Sequence, residues 1–165
     1  MPTIRPATPA DFATIQQIAH NTWPHTCKDI LSKEQIPYML NWMYSFHALQ
    51  EQVMQKGHQF LLAEEGGDAV GFTGYELNYK GRPETKIHKI YMLPAAQGKG
   101  IGKALMDAVA AIARSNGNST LTLNVNRYNK AVTFYQRYGF TISGQVDIDI
   151  GNNYLMEDYI MQYHL

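Results

Sequence analysis

The spacing of apolar positions changes character along the chain, and each change predicts an element. A short strand is expected at Thr3–Arg5. Thr8-Pro9-Ala10-Asp11 then carries a capping residue, a proline suited to a first helical position and an acid that can reach back to the cap. The helix that follows should bury Phe12, Ile15, Ala19 and Trp23, which fall near helical spacing. Ser32-Lys33-Glu34-Gln35 repeats the capping pattern ahead of Ile36, Met39, Leu40 and Met43, with Pro37 standing late for a first turn and expected to distort it. A third helix, from about Ser45 to Lys56, should turn Phe46, Leu49 and Val53 inward.

Beyond residue 58 the period becomes that of strands. Gln59–Glu65 and Ala69–Tyr79 flank Gly66-Gly67-Asp68, a turn whose residues tolerate positive φ, and together predict a hairpin. After the break at Gly81-Arg82-Pro83, a strand from Thr85 to Leu93 sets Ile87, Lys89, Tyr91 and Leu93 on one face and Lys86, His88, Ile90 and Met92 on the other. Pro94 ends it. Ile101–Ser115 reads as a helix with Leu105, Val109 and Ile112 inward, closed by Asn116-Gly117. Strand, helix, strand and strand follow at about 119–125, 129–138, 140–149 and 154–163. Nothing repeats and no low-complexity linker divides the chain. The expectation is one α/β domain over residues 1–165, a mixed sheet with helices on both faces.

Composition narrows the function classes. At 165 residues the chain can bury one sizeable core, and 45% hydrophobic with 17% charged residues excludes disorder. Fourteen basic residues balance fourteen acidic ones, so no excess positive field favours nucleic acid. The single Cys27 excludes an intrachain disulfide. No apolar stretch approaches the ~20 residues of a membrane span, and the N-terminus lacks a secretion pattern. The expectation is a cytoplasmic protein with no membrane or nucleic-acid partner.

The chemistry concentrates in Gln97-Gly98-Lys99-Gly100-Ile101-Gly102-Lys103, which joins a strand end to a helix start. Several backbone N–H groups can converge there beside a positive helix end, and side chains would obstruct so close an approach. That combination suits a pyrophosphate, with Lys99 and Lys103 adding charge. A dinucleotide fingerprint would need glycine where Lys103 stands. A nucleoside-triphosphate loop would need four residues between its glycines and a hydroxyl where Ala104 stands. A tight strand-to-helix turn without ligand is the plain alternative.

What remains is Q-x-x-G-x-G, here Gln97, Gly100 and Gly102. A second signature follows as Asn129, Ala131, Phe134, Tyr135, Gly139 and Phe140. The pair resembles the GCN5-related N-acetyltransferase (GNAT) family, with the specific motifs confined to residues 87–140. In one departure, Tyr128 occupies the usual asparagine position, leaving Asn126 or Asn129 to serve instead.

The resemblance implies a mostly antiparallel mixed sheet and acetyl-CoA as co-substrate. It assigns the coenzyme to Gln97, Gly98, Lys99, Gly100, Ile101, Gly102 and Lys103, to the strand edge at Ile90, Tyr91 and Met92, and to Asn126, Asn129 and Tyr135. It implies that an edge amide stabilises the oxyanion and that Tyr135 protonates the departing thiolate. Tyr135 also belongs to an aromatic stripe with Phe134, Tyr138 and Phe140 that could simply fill core. The acceptor amine must be neutral to attack, so His88 is the first candidate base and Glu84 the second, with water as a third route. No metal is expected, since His20, His25 and Cys27 match no zinc spacing.

The acceptor is expected to be a small-molecule primary amine, walled by the segment Asn21–Thr26 and by Trp42, Met43, Tyr44 and Phe46. Length and N-terminal arrangement are similar to bacterial acetyltransferases acting on spermidine or spermine, for which Asp147, Asp149, Glu157 and Asp158 would supply carboxylates. Alternatives are a peptide N-acetyltransferase, a non-catalytic acetyl-CoA sensor, and a homodimer built on Trp42 and Tyr44 as exposed aromatics.

Overall fold

A computed structural model describes residues 2–165. Seven strands form one sheet: β1 (Thr3–Pro6), β2 (Gln59–Glu65), β3 (Asp68–Glu76), β4 (Glu84–Met92), β5 (Thr120–Asn126), β6 (Thr141–Gly151) and β7 (Tyr154–His164). Their spatial order is β1-β2-β3-β4-β5-β7-β6, and every neighbouring pair is antiparallel except β4 and β5. The β2–β3 turn places Gly66 and Gly67 at φ of 59° and 87°, the paired positive values that a two-residue hairpin needs.

Helices α1 (Phe12–Thr26), α2 (Gln35–Tyr44) and α3 (Phe46–Met54) cover one face, where Phe12, Ile15, Trp23, Leu40, Tyr44 and Leu49 pack on Phe60, Leu62 and Phe72. Helices α4 (Ile101–Ser115) and α5 (Ala131–Tyr138) cover the other, where Leu105, Met106, Val109 and Tyr135 pack on Leu61, Ile87, Leu121, Leu123 and Met161. Both faces of the central strands are therefore buried. No helix among the described residues is long and apolar enough to cross a membrane.

Several sequence expectations are corrected. Ser32 Oγ accepts from the Gln35 amide at 3.1 Å and α2 starts at Gln35, so Pro37 is its third residue, where no intrahelical acceptor is due, and the helix runs on undistorted. In α3 Leu49 and Gln52 are buried and Val53 packs against the same core, while Phe46 is 58% exposed, its ring meeting Phe12 edge-on at 5.6 Å. Tyr44 is not an exposed aromatic. It is fully buried, with its ring edge-on to Trp23 and Phe72. Trp42 does lie at the surface, half exposed.

The alternation expected along β4 breaks at His88. Ile87 pairs with Tyr75 and Lys89 with Gly74, leaving His88 as an extra residue in a β-bulge. The slip puts Ile87 in the same core layer as Ile90 and Met92, against α4. His88 and Lys89, in succession, both reach the opposite side, toward α3.

Candidate functional site

Strands β4 and β5 pair only from Glu84↔Thr120 to Ile87↔Leu123, although β4 continues to Met92 and β5 to Asn126. Beyond that point they part, and the opening leads into a cavity of about 1220 Å³. The Leu93 amide donates to the Val70 carbonyl at 2.8 Å, which fixes the phase of β4 against β3. Because peptide groups alternate sides along a strand, Tyr91 turns its own toward β3 while Ile90 and Met92 present theirs to the opening. Thr22 Oγ1, from α1, donates to the Met92 carbonyl at 3.4 Å and ties that helix to the rim.

The glycine loop stands at the end of β4. Pro94–Ala96 form one 3-10 turn, Gly98 and Gly100 both adopt φ of +80°, and Gly100 caps α4 in the left-handed region. Ala104 N–H is the first helical amide to find a backbone acceptor, the Gly100 carbonyl at 3.0 Å. The six preceding amides, Gly98 to Lys103, have none among the described residues. At Gly102 the backbone is instead packed closely: a Cβ would lie 3.1 Å from Met92 Cε and 3.2 Å from Phe134 Cζ. Lys103 pairs with Asp107 at 2.7 Å, leaving Lys99 as the exposed loop cation without an ionic partner among the described residues. Free amides, a positive helix end and open space above Gly98 and Gly100 fit a pyrophosphate.

Across the opening, Asn126, Asn129 and Tyr135 line the same cavity, as does Gln97. Asn126 Oδ1 accepts from the Tyr128 amide and Asn129 Oδ1 from the Ala131 amide, each at 2.9 Å, so both side chains are held by the turn into α5 with their NH₂ groups free to donate. The Tyr135 ring packs edge-on against Phe134 and Phe140, and its hydroxyl has no protein partner among the described residues. Burial pushes its pKa up, which keeps the phenol protonated and able to give a proton.

The other end of the cavity lies under α1–α3, where Trp23, Trp42 and Met43 contribute, but Tyr44 and Phe46 do not. His88 Nε2 lies 3.0 Å from Glu76 Oε1, and the His88 ring stacks on His58 at 3.9 Å and 12°. His58 and Glu76 carry no sequence motif, and only the sheet brings them to His88. Burial, and then the neighbouring cations, hold both imidazoles below the ordinary histidine value, His58 at about 4. The donor atoms of His58, Glu76 and His88 lie within 4.8 Å of one another, close enough to consider a metal ion. Imidazole lone pairs lie in the ring plane, however, so two stacked rings cannot both direct theirs at one ion. The arrangement suits a single shared proton better.

The sequence pattern marks Lys89 only as one member of a strand face. It is 4% exposed, lines the cavity and donates from Nζ to Gln52 Oε1 at 2.7 Å, and burial draws its pKa down to about 7. The remaining sequence candidates scatter. Glu84 lies outside the cavity, four residues before His88 and thus roughly 13 Å away along the strand. Asp147 pairs with Arg127 at 2.6 Å and Asp149 holds the Gly151 amide at 2.8 Å, both away from the cavity, which Asp158 alone of the four acidic candidates lines. His25 and Cys27 line it without His20, and burial lifts the Cys27 thiol to about 11.

Residues 27–154 match the family profile described as an acetyltransferase (GNAT) domain. A 5-NmdU N-acetyltransferase of Pseudomonas phage PaMx11 is 41% identical over 86 residues, 51% of this chain and 58% of that enzyme, so the match spans less than two thirds of its length. The spermidine N(1)-acetyltransferase of Thermoplasma acidophilum is 26% identical over 159 residues, covering 93% of this chain and 94% of that one. The crystal structure of the PaiA N-acetyltransferase of the same organism, in complex with coenzyme A, superposes with a TM-score of 0.84 at 24% identity, covering 100% of this chain and 99% of that one.

Proposed function

The chain belongs to the GNAT acetyltransferase family, and on that premise we propose that it transfers the acetyl group of acetyl-CoA to a primary amine of a small molecule by direct attack. The observation that carries this reading is the parting of β4 and β5 beyond Ile87 and Leu123, which leaves the Ile90 and Met92 peptides facing a cavity shared by Gln97, Asn126 and Tyr135.

The amides from Gly98 to Lys103 hold the pyrophosphate, and the peptide edge at Ile90 and Met92 aligns the pantetheine arm and the thioester. An edge N–H stabilises the charge that develops on the carbonyl oxygen. The amine is deprotonated by His88, whose Nε2 is steadied by Glu76, and its nitrogen bonds to the acyl carbon as the carbon–sulfur bond breaks. Tyr135 gives its phenolic proton to the departing thiolate. Of the two base candidates, His88 is favoured because it lines the cavity and Glu84 does not.

The test is acetyl-CoA binding followed by thiol release with a panel of amines. Wild-type protein should gain thermal stability with acetyl-CoA and release thiol with an acceptor. Gly100→Glu should lose the binding, since a carboxylate at the loop would repel the phosphates. Undiminished affinity in that variant would remove the loop from the site.

A further inference from the structure

Lys89 has no role in the transfer just described, and its surroundings are unusual for a cavity wall. Gln52 Nε2 donates to the Met43 carbonyl at 3.0 Å, which locks the amide so that its oxygen faces Lys89. The Tyr44 and Phe60 rings each lie 5.6 Å from Nζ. An amide oxygen and two aromatic rings all favour the ammonium form over the amine, yet none supplies a negative charge. No carboxylate among the described residues lies within ion-pair distance of Lys89. An ammonium buried without a counter-ion is unfavourable compared with an apolar side chain of similar size.

Cations outnumber carboxylates along the cavity, with Lys28, Lys56, Lys86, Lys89 and Lys130 set against Asp29, Glu51 and Asp158. Lys56 and Lys86 line this end of the cavity with His58 and His88. Of the carboxylates nearby, Glu51 is engaged by Lys56 at 3.3 Å and Glu76 by His88. Asp158 also lines the cavity, buried and attracted to Lys86, with no ion pair between them. A polycationic acceptor would place further positive charge against Lys89 and Lys86, and like charges at contact distance are repelled.

We infer that the acetyl acceptor is a small amine that also carries an acidic group, and that Lys89 binds that group. This deepens the proposed transfer reaction and rests on it. The α-amino acids are the smallest compounds with both groups, and Lys89 directly precedes Ile90, with both residues lining the one cavity. Carboxylates and phosphates share the necessary chemistry, and the assay below separates them.

The experiment compares matched acceptors on the wild-type enzyme with saturating acetyl-CoA: each α-amino acid against its amide, phosphoethanolamine against ethanolamine, and spermidine. Thiol release gives kcat and KM. The acidic member of a pair should exceed the neutral one by roughly 30-fold or more in kcat/KM, the scale of one buried charge pair. The pair that shows the difference identifies carboxylate or phosphate. Lys89→Met should erase the preference by raising KM for the acidic acceptor with acetyl-CoA affinity unchanged, and Lys89→Arg should recover part of it. Equal rates for acid and amide, a preference for spermidine, or an equal loss on both acceptors in Lys89→Met would each overturn the assignment. Failure to bind acetyl-CoA would instead strike the proposed reaction. Should acetyl-CoA bind without any turnover, thermal shifts of the coenzyme A complex decide the matter. Protection by N-acetyl amino acids but not their amides, lost in Lys89→Met, supports the anion site, and equal protection refutes it.

Discussion

Lys89 also makes a prediction about stability that needs no substrate. Its pKa falls from 10.5 in the open chain to about 7 in the fold, chiefly through burial. At 1.36 kcal/mol per pH unit, holding it charged at pH 6 costs up to roughly 5 kcal/mol. Lys89→Met removes that cost but leaves Gln52 Oε1 without its donor, a penalty of about 1–3 kcal/mol. The variant should therefore be more stable at pH 6 by about 2–4 kcal/mol, or roughly 5–15 °C in Tm for a chain of this size. The pH dependence distinguishes charge from packing. Between pH 7 and 10.5 the unfolded chain keeps the Lys89 proton and the folded protein releases it, so wild-type stability rises through that window and the variant's advantage shrinks. Thermal unfolding of both ligand-free proteins from pH 6 to pH 9.5 cancels the other titrating groups in the difference. A constant gap across that range, or a variant less stable at pH 6, would refute the view of Lys89 as a buried charge lacking its counter-ion.

Two further outcomes are expected. Tyr135→Phe should lower kcat by about 100-fold or more if the phenol is the proton donor. Acetyl-CoA affinity and Tm should stay unchanged, because the hydroxyl has no protein partner to lose; wild-type turnover would leave Tyr135 as packing alone. His88→Gln should alter the acid limb of the kcat/KM profile, which in the wild type should lie below the ordinary histidine value. The same variant should lose stability less steeply from pH 6.5 to about 4, where the unfolded chain takes up imidazole protons that the folded site refuses, at about 1.4 kcal/mol per pH unit for each histidine. Superimposable rate profiles would move the base role from His88 to water.

The sequence made the glycine loop, the sheet with helices on both faces and the layer of α4 legible, because each is written in local spacing. The opening between β4 and β5 was less so, since it depends on where pairing stops, at Ile87 and Leu123, and pairing is a relation between distant segments. His88 shows the limit more sharply. Strict alternation puts it with Ile90 and Met92, and one bulged residue opposite Gly74 and Tyr75 carries it to the other side, beside His58 and Glu76. In α3 the apolar stripe holds at Leu49 and Val53 but fails at Phe46, and the polar Gln52 takes an inward position that the stripe did not assign. Lys89 broke the pattern in the same way, a lysine in the apolar alternation of a central strand. Each departure taken singly reads as an irregular solvated edge. Their hydrogen bond, 2.7 Å long and between residues 37 apart in sequence, is what turns two local mismatches into one polar station inside an apolar layer. A lysine and a glutamine kept where aliphatic side chains would fit are what the proposed anion site asks for, which is why residues that fit their elements least are the ones worth pairing in space.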